Sequence, residues 1–127
     1  MPLKIELKPN ERLILGNALI TNDHERTRLF IDGNVPILRE KYVLTEDQAD
    51  TPCKRVYFVL QKMYLSSDPK ILHPEYFSYV NDLLTAAPSF TSEIDLINND
   101  ILGGDYYGAL KKMMVVIDKE AEILKNA

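Results

Sequence analysis

Pro36-Ile37-Leu38-Arg39-Glu40-Lys41 is the stretch on which the fold turns. It closes a run of short alternating segments, and a helix signal, Ala49-Asp50-Thr51-Pro52-Cys53-Lys54-Arg55-Val56-Tyr57-Phe58, follows soon after. Thr51 is a natural N-cap and Pro52 suits the first helical turn, where its missing N–H costs nothing. Val56, Val59, Leu60 and Met63 then recur at helical spacing. Upstream of Pro36 the period is two. The chain therefore reads as α+β: a small antiparallel β-sheet or half-barrel at the front, and a helical part behind it. The change falls within Thr45 to Asp50.

Working back from Pro36, Asp32-Gly33-Asn34 is a turn, and Arg26 to Asp32 alternates Arg28 and Phe30 against Leu29 and Ile31. The polar cluster Asn22 to Glu25 interrupts the pattern. Gly16-Asn17 separates Arg12-Leu13-Ile14-Leu15 from Ala18-Leu19-Ile20-Thr21, and Pro9-Asn10 separates both from Leu3 to Lys8. With Ile37 to Arg39 this makes five short strands joined by tight turns, the pattern of a small sheet or part-closed barrel.

Working forward, Ser66-Ser67-Asp68-Pro69 ends the first helix. Pro74 opens a second, with Phe77, Val80, Leu83 and Leu84 as its apolar stripe, closed by Ala87-Pro88. Ser89 or Thr91 is the expected cap of a third helix, Ile94 to Leu102, which stops at Gly103-Gly104. Asp105 caps a fourth running to about Lys125, with Leu110, Met113, Met114 and Ile117 facing inward. The expected division is residues 1–44 as a β-strand module and 45–127 as a four-helix module.

A chain of 127 residues with 46% hydrophobic content can bury a core and is not disordered by composition. One cysteine forms no internal disulfide, which suits a reducing compartment. No apolar run reaches the length of a membrane span, and charges interrupt Met1 to Glu6 where a signal peptide needs an apolar stretch. The expectation is a soluble, cytoplasmic protein. Net charge is −4, divided unevenly. Residues 1–43 carry seven Lys/Arg against six Asp/Glu, and residues 44–127 carry eight against thirteen. The front is near neutral and the back acidic, which excludes a general nucleic-acid binder and leaves room only for a local basic patch.

That patch would draw on Arg39, Arg28, Arg26, Arg12, Lys8 and Lys41. Arg28 and Phe30 share a strand face, so a guanidinium stands beside a ring, the pairing that single-stranded RNA recognition uses for phosphate and base. The same residues also read as ordinary solvated strand positions balanced by Glu11, Glu25 and Glu40. The other constellations are poor. Cys53 lies at a helix start but has only His24 and His73 for company, which makes neither a nucleophilic set nor a zinc site. Asn98 to Asp105 lacks a calcium-loop register, and no glycine-rich phosphate loop is present. No enzyme and no cofactor are expected. The tyrosines of the helical part read as packing residues or as a partner surface.

Met1-Pro2-Leu3-Lys4-Ile5-Glu6-Leu7-Lys8-Pro9-Asn10-Glu11-Arg12, the Pro36 to Lys41 stretch and the Tyr106-Tyr107 pair together resemble the FlbT family of flagellin-synthesis regulators, from Pro2 to about Leu110. The front module is also similar to CsrA-type translational regulators, small β proteins that bind RNA leaders as dimers. That likeness rests on Leu3 to Lys8, the turn into Glu11, Arg28-Leu29-Phe30-Ile31-Asp32, and Leu38-Arg39-Glu40-Lys41. Leu38 stands where those regulators carry a histidine, and Leu7 and Lys8 where they carry arginines. The FlbT resemblance implies post-transcriptional regulation of flagellin through the untranslated leader of its mRNA, altering translation or stability. The CsrA likeness points to Arg39 as the leading RNA contact. Lys41, Arg28, Arg12, Lys8 and Phe30 are the expected supporting residues, and a homodimer is the expected assembly. The alternative is an adaptor whose helical module docks a flagellar regulatory protein, without direct RNA contact.

Overall fold

The computed structural model describes residues 2–126. It divides into two compact units, one ending at Val43 and the other beginning at Leu44. The class is α+β.

The first unit holds β1 (Leu3–Leu7), β2 (Arg12–Leu15), β3 (Ala18–Thr21), β4 (Thr27–Ile31) and β5 (Ile37–Arg39), followed by a 3-10 turn, Glu40–Tyr42. The strands form two small antiparallel sheets rather than one: β1 with β4, and β2 flanked by β3 and β5. What separates β3 from β4 is the polar segment already visible in the sequence. The Asn22 amide donates to the backbone carbonyls of Leu7, Lys8 and Glu25, so it ties the end of β1 to the connection and occupies groups a ladder would need. The two sheets share one core, in which Ile5, Leu7 and Leu13 are buried and Ile20, Leu29, Ile31 and Ile37 pack around them.

Two turns set the register. Glu11 N–H bonds the Lys8 carbonyl at 3.1 Å, and Asn10 at the third position has φ 65°, a type II turn with Pro9 leading it. Leu15 lies opposite Ala18, so the β2–β3 loop is two residues long. Gly16 takes φ 61° there while Asn17 stays at negative φ, the type II′ geometry that matches strand twist.

The second unit holds α1 (Pro52–Leu65), α2 (His73–Ala86), α3 (Thr91–Leu102) and α4 (Tyr106–Lys125). Thr51 Oγ1 accepts the Lys54 N–H, and an Asp105 carboxylate oxygen accepts the Gly108 N–H at 2.9 Å, so both caps form as the sequence reads. Val56, Val59, Leu60 and Met63 are all buried. Three details differ from expectation. Residues Pro69–Leu72 and Pro88–Phe90 form 3-10 turns that feed α2 and α3, so α2 begins at His73 and α3 at Thr91. Thr91 is not a cap: its hydroxyl donates back to the Pro88 carbonyl. In α2 it is Tyr76, not Phe77, that joins Val80 and Leu83 in the core, and Phe77 is 41% exposed. The Tyr76 hydroxyl reaches Asn98 Oδ1 at 2.7 Å, which lets the larger ring be buried with its polar tip satisfied. Among the described residues no helix is long and apolar enough to cross a membrane.

Candidate nucleic-acid interface

In the β1–β4 ladder Lys4 lies opposite Phe30, and Glu6 opposite Arg28. Directly paired residues share a face, so these four side chains make the outer surface of the sheet while Ile5, Leu7 and Leu29 turn inward. Phe30 is 66% exposed, an unusual place for a phenyl ring that contributes nothing to the core. A cation stands across from it and another lies two residues along its strand. Arg28 Nη2 sits 3.3 Å from Glu6 Oε1, with both side chains about half exposed, so the pair is loosely held and open to exchange for another anion. Arg28 and Phe30 are thus brought together as the alternation predicts. Lys4 completes the surface and was not singled out from sequence; its signal was the alternation of β1, but only the pairing register places it against Phe30.

Arg39 is positioned differently. Leu13 is opposite both Ile20 and Arg39, which puts Arg39 on the core side of its sheet, at the rim. Its guanidinium leaves the rim and donates through Nη2 to the backbone carbonyl of Glu6 at 2.9 Å, bridging β5 to β1. Glu11 Oε2 lies 3.8 Å from the same nitrogen. The Nε atom is buried without a partner, while the side chain as a whole stays 37% exposed. Nη2 of Arg39 therefore both holds the two sheets together and lies beside the Glu11 carboxylate, on a side chain that is still partly open to water.

The remaining cations flank this rim. Glu11 also accepts the Lys8 backbone N–H through Oε1 at 2.9 Å, so Lys8 and Arg39 meet at one carboxylate; the Lys8 ammonium has no ion pair among the described residues. Arg12 Nε donates to Glu40 Oε1 at 2.9 Å, and that hydrogen bond holds the Glu40 carboxyl below its ordinary range. Lys41 lies 4.9 Å from the Tyr42 ring centroid. Phe30, Arg28 and Lys4 form one surface; the Arg39 guanidinium stands near Glu11, which also accepts the Lys8 backbone N–H; Arg12 pairs with Glu40, and Lys41 follows Glu40 in the chain.

In the helical unit Cys53 is wholly buried, and burial, reinforced by the nearby Glu120 carboxylate, pushes its thiol pKa upward. The position therefore disfavours the thiolate, against what a helix start alone would give. His73 Nε2 lies 3.0 Å from the Tyr106 hydroxyl, whereas His24 is exposed beside Asp23. Among the described residues, no group of three His, Cys, Asp or Glu side chains is placed to hold a metal ion.

The family model described as flagellar protein FlbT matches residues 3–124. A Bradyrhizobium diazoefficiens protein named probable flagellum biosynthesis repressor protein FlbT 1 is 52% identical over 124 residues, covering 97% of this chain and 85% of its own. A Rhodopseudomonas palustris protein named probable flagellum biosynthesis repressor protein FlbT is 44% identical over 126 residues, covering 99% of this chain and 100% of its own. The flagellum biosynthesis repressor protein FlbT of Caulobacter vibrioides is 30% identical over 127 residues, covering 98% of this chain and 90% of its own. No solved structure gives a significant match. A family model that spans nearly the whole chain, with relatives this similar from end to end, shows that the chain belongs to the FlbT family.

Proposed function

We propose that this chain is a cytoplasmic regulator that represses flagellum biosynthesis by binding the untranslated leader of flagellin mRNA and altering its translation or stability. The relatives' names support the repressor role. The observation that carries the RNA reading is the outer face of the β1–β4 sheet, where Phe30 stands exposed between Lys4 and Arg28. An exposed ring accepts an unpaired base by stacking, and flanking cations take the phosphates on either side of it. Lys8, Arg39 and Lys41 extend the positive groups along the unit, with Arg12 held by Glu40. An incoming phosphate would displace Glu6 from Arg28 and Glu11 from Arg39, exchanging a carboxylate for a stronger anion at each.

The test is titration of the full-length protein into labelled flagellin leader RNA, beside a scrambled leader, at two salt concentrations. Phe30→Ala removes a stacking platform without touching the core and is expected to weaken binding by about 1–3 kcal/mol. Leader affinity equal to that of the scrambled RNA, or unchanged in Phe30→Ala, sinks the reading.

A second reading, an adaptor that docks a flagellar regulatory protein through the helical unit, is favoured by one observation. The buried stripe of α4, Leu110, Met113, Val116 and Glu120, continues in phase to Ile123 and Leu124, yet both of these are exposed. Such an overhang suits a protein partner, and the acidic charge of this unit suits RNA poorly. Protein that binds no leader RNA at physiological salt transfers the weight to this reading.

A further inference from the structure

Between α1 and α2 lies a cleft of about 280 Å³. Arg55, Phe58 and Lys62 reach it from α1, at the i, i+3 and i+7 spacing of one helix face. Glu75 and Tyr79 reach it from α2, one turn apart, and Glu46 lines it from the segment before α1. None of these residues belongs to the RNA surface described above.

The charges in the cleft are not equivalent. Lys62 is already engaged: its Nζ bonds Glu75 Oε1 at 2.8 Å and lies 5.3 Å from the Phe58 ring centroid. The Arg55 guanidinium, the Glu46 carboxylate and the Tyr79 hydroxyl have no partner among the described residues. What remains open to a ligand is therefore one planar cation, one anion, one hydroxyl and two aromatic rings. A guanidinium fork matches a carboxylate in two parallel hydrogen bonds. A pair of rings favours a third ring, in edge or offset contact, over an aliphatic chain. An unpaired carboxylate accepts an N–H. The volume is below that of ordinary drug-sized pockets and suits a single amino-acid residue.

We propose that this cleft holds the C-terminal aromatic residue of a partner polypeptide. The terminal carboxylate pairs with Arg55, the side-chain ring packs against Phe58 and Tyr79, and a backbone N–H turns toward Glu46. Tyr and Arg are also the residue types that anchor protein interfaces when set in a pocket. A nucleotide presents a ring and an anion too, but Glu46 and Glu75 line the same cleft, and residues 44–127 carry eight Lys/Arg against thirteen Asp/Glu. A polyanionic strand is repelled there far more strongly than a single carboxylate paired with Arg55. The inference goes beyond the RNA reading and stands apart from it.

The probe is the blocked dipeptide N-acetyl-glycyl-phenylalanine, added to isotopically labelled full-length protein while backbone amide resonances are followed by NMR. Millimolar binding is expected for so small a ligand, with shifts centred on Arg55, Phe58 and Tyr79. The C-terminal amide of the same dipeptide, and the acid added to Arg55→Gln, are each expected to bind about tenfold more weakly, the loss of one charge-assisted pair. Arg55 is exposed, so an unchanged spectrum away from the cleft shows that the variant is folded. Phe30→Ala is expected to leave this binding intact while it weakens RNA, so the two readings fail separately. Equal binding of acid and amide, no loss in Arg55→Gln, or no shift up to about 10 mM overturns the proposal. Tighter binding of free phenylalanine, or of adenosine monophosphate, overturns it in favour of a free amino acid or of RNA.

Discussion

Arg39 crosses from β5 to the Glu6 carbonyl of β1, and this bridge gives it two separable contributions. Removing the guanidinium leaves a strand carbonyl without its charged donor at the junction of two small sheets. Arg39→Ala is therefore expected to cost about 1–2 kcal/mol of stability, read as a lower urea midpoint at unchanged slope. Arg28→Ala loses only an exposed pair with Glu6 and is expected to cost no more than about 0.5 kcal/mol. The contrast matters for RNA binding, because an Arg39→Ala protein that binds poorly has lost sheet geometry as well as a cation. Affinity must therefore be compared where both variants are fully folded. An Arg39→Ala variant as stable as the parent would show that the bridge carries no weight and would leave only a contact role. Sequence alone left these possibilities open: Arg39 stood out, but its inward face is visible only once Leu13 is seen opposite it.

Glu120 does at the level of helices what Arg39 does between strands. It is buried on α4, accepts the Thr51 hydroxyl at one oxygen, and accepts the Cys53 N–H at the other at 3.1 Å. The first turn of α1 is thus capped twice, by its own Thr51 and by a carboxylate 67 residues away, where the helix dipole favours negative charge. Glu120→Ala strands a buried N–H and is expected to cost about 2–3 kcal/mol, while Glu120→Gln keeps an acceptor and should cost less. Equal losses for both, by denaturant unfolding, would show that the carboxylate charge and its second acceptor oxygen, which Gln lacks, carry the cap, not packing or a single acceptor. What was legible beforehand follows the same division between local and distant causes. Thr51-Pro52, Asp105, Pro9-Asn10 and Gly16-Asn17 act within a turn, and each was readable. Glu120 on α1, Lys4 opposite Phe30, and the parting of five strands into two sheets depend on pairings across tens of residues, which no local pattern encodes. Tyr76 and Phe77 are a subtler case: adjacent aromatics both fit the stripe, and Asn98 on α3 decides between them by satisfying the hydroxyl.

Across the whole chain, the proposed RNA binding sets a local basic surface against an acidic remainder. The net charge of −4 withholds long-range attraction, so the proposed RNA binding would have to draw on the few cations beside Phe30 and on the ring itself. Lys4 and Arg28 lie on that face, and with Arg39 the proposal counts about three phosphate contacts; for single strands this predicts a log–log salt slope near −2. Raising salt from about 50 to 200 mM should then weaken leader binding roughly 20-fold, far less than for a protein that neutralises many phosphates. Phe30→Ala should lower affinity at both salts with the slope unchanged, because stacking releases no counterions. Arg28→Ala should flatten the slope by about 0.7. If a homodimer presents two such faces to one RNA, the slope doubles, and sedimentation at the same concentration should show the dimer. A steep slope from a protein that sediments as a monomer would mean that the strand is held over a wider surface than the β1–β4 face. A slope near zero would mean that any interaction with the leader is not electrostatic, and the aromatic surface would then be better matched to a protein than to RNA.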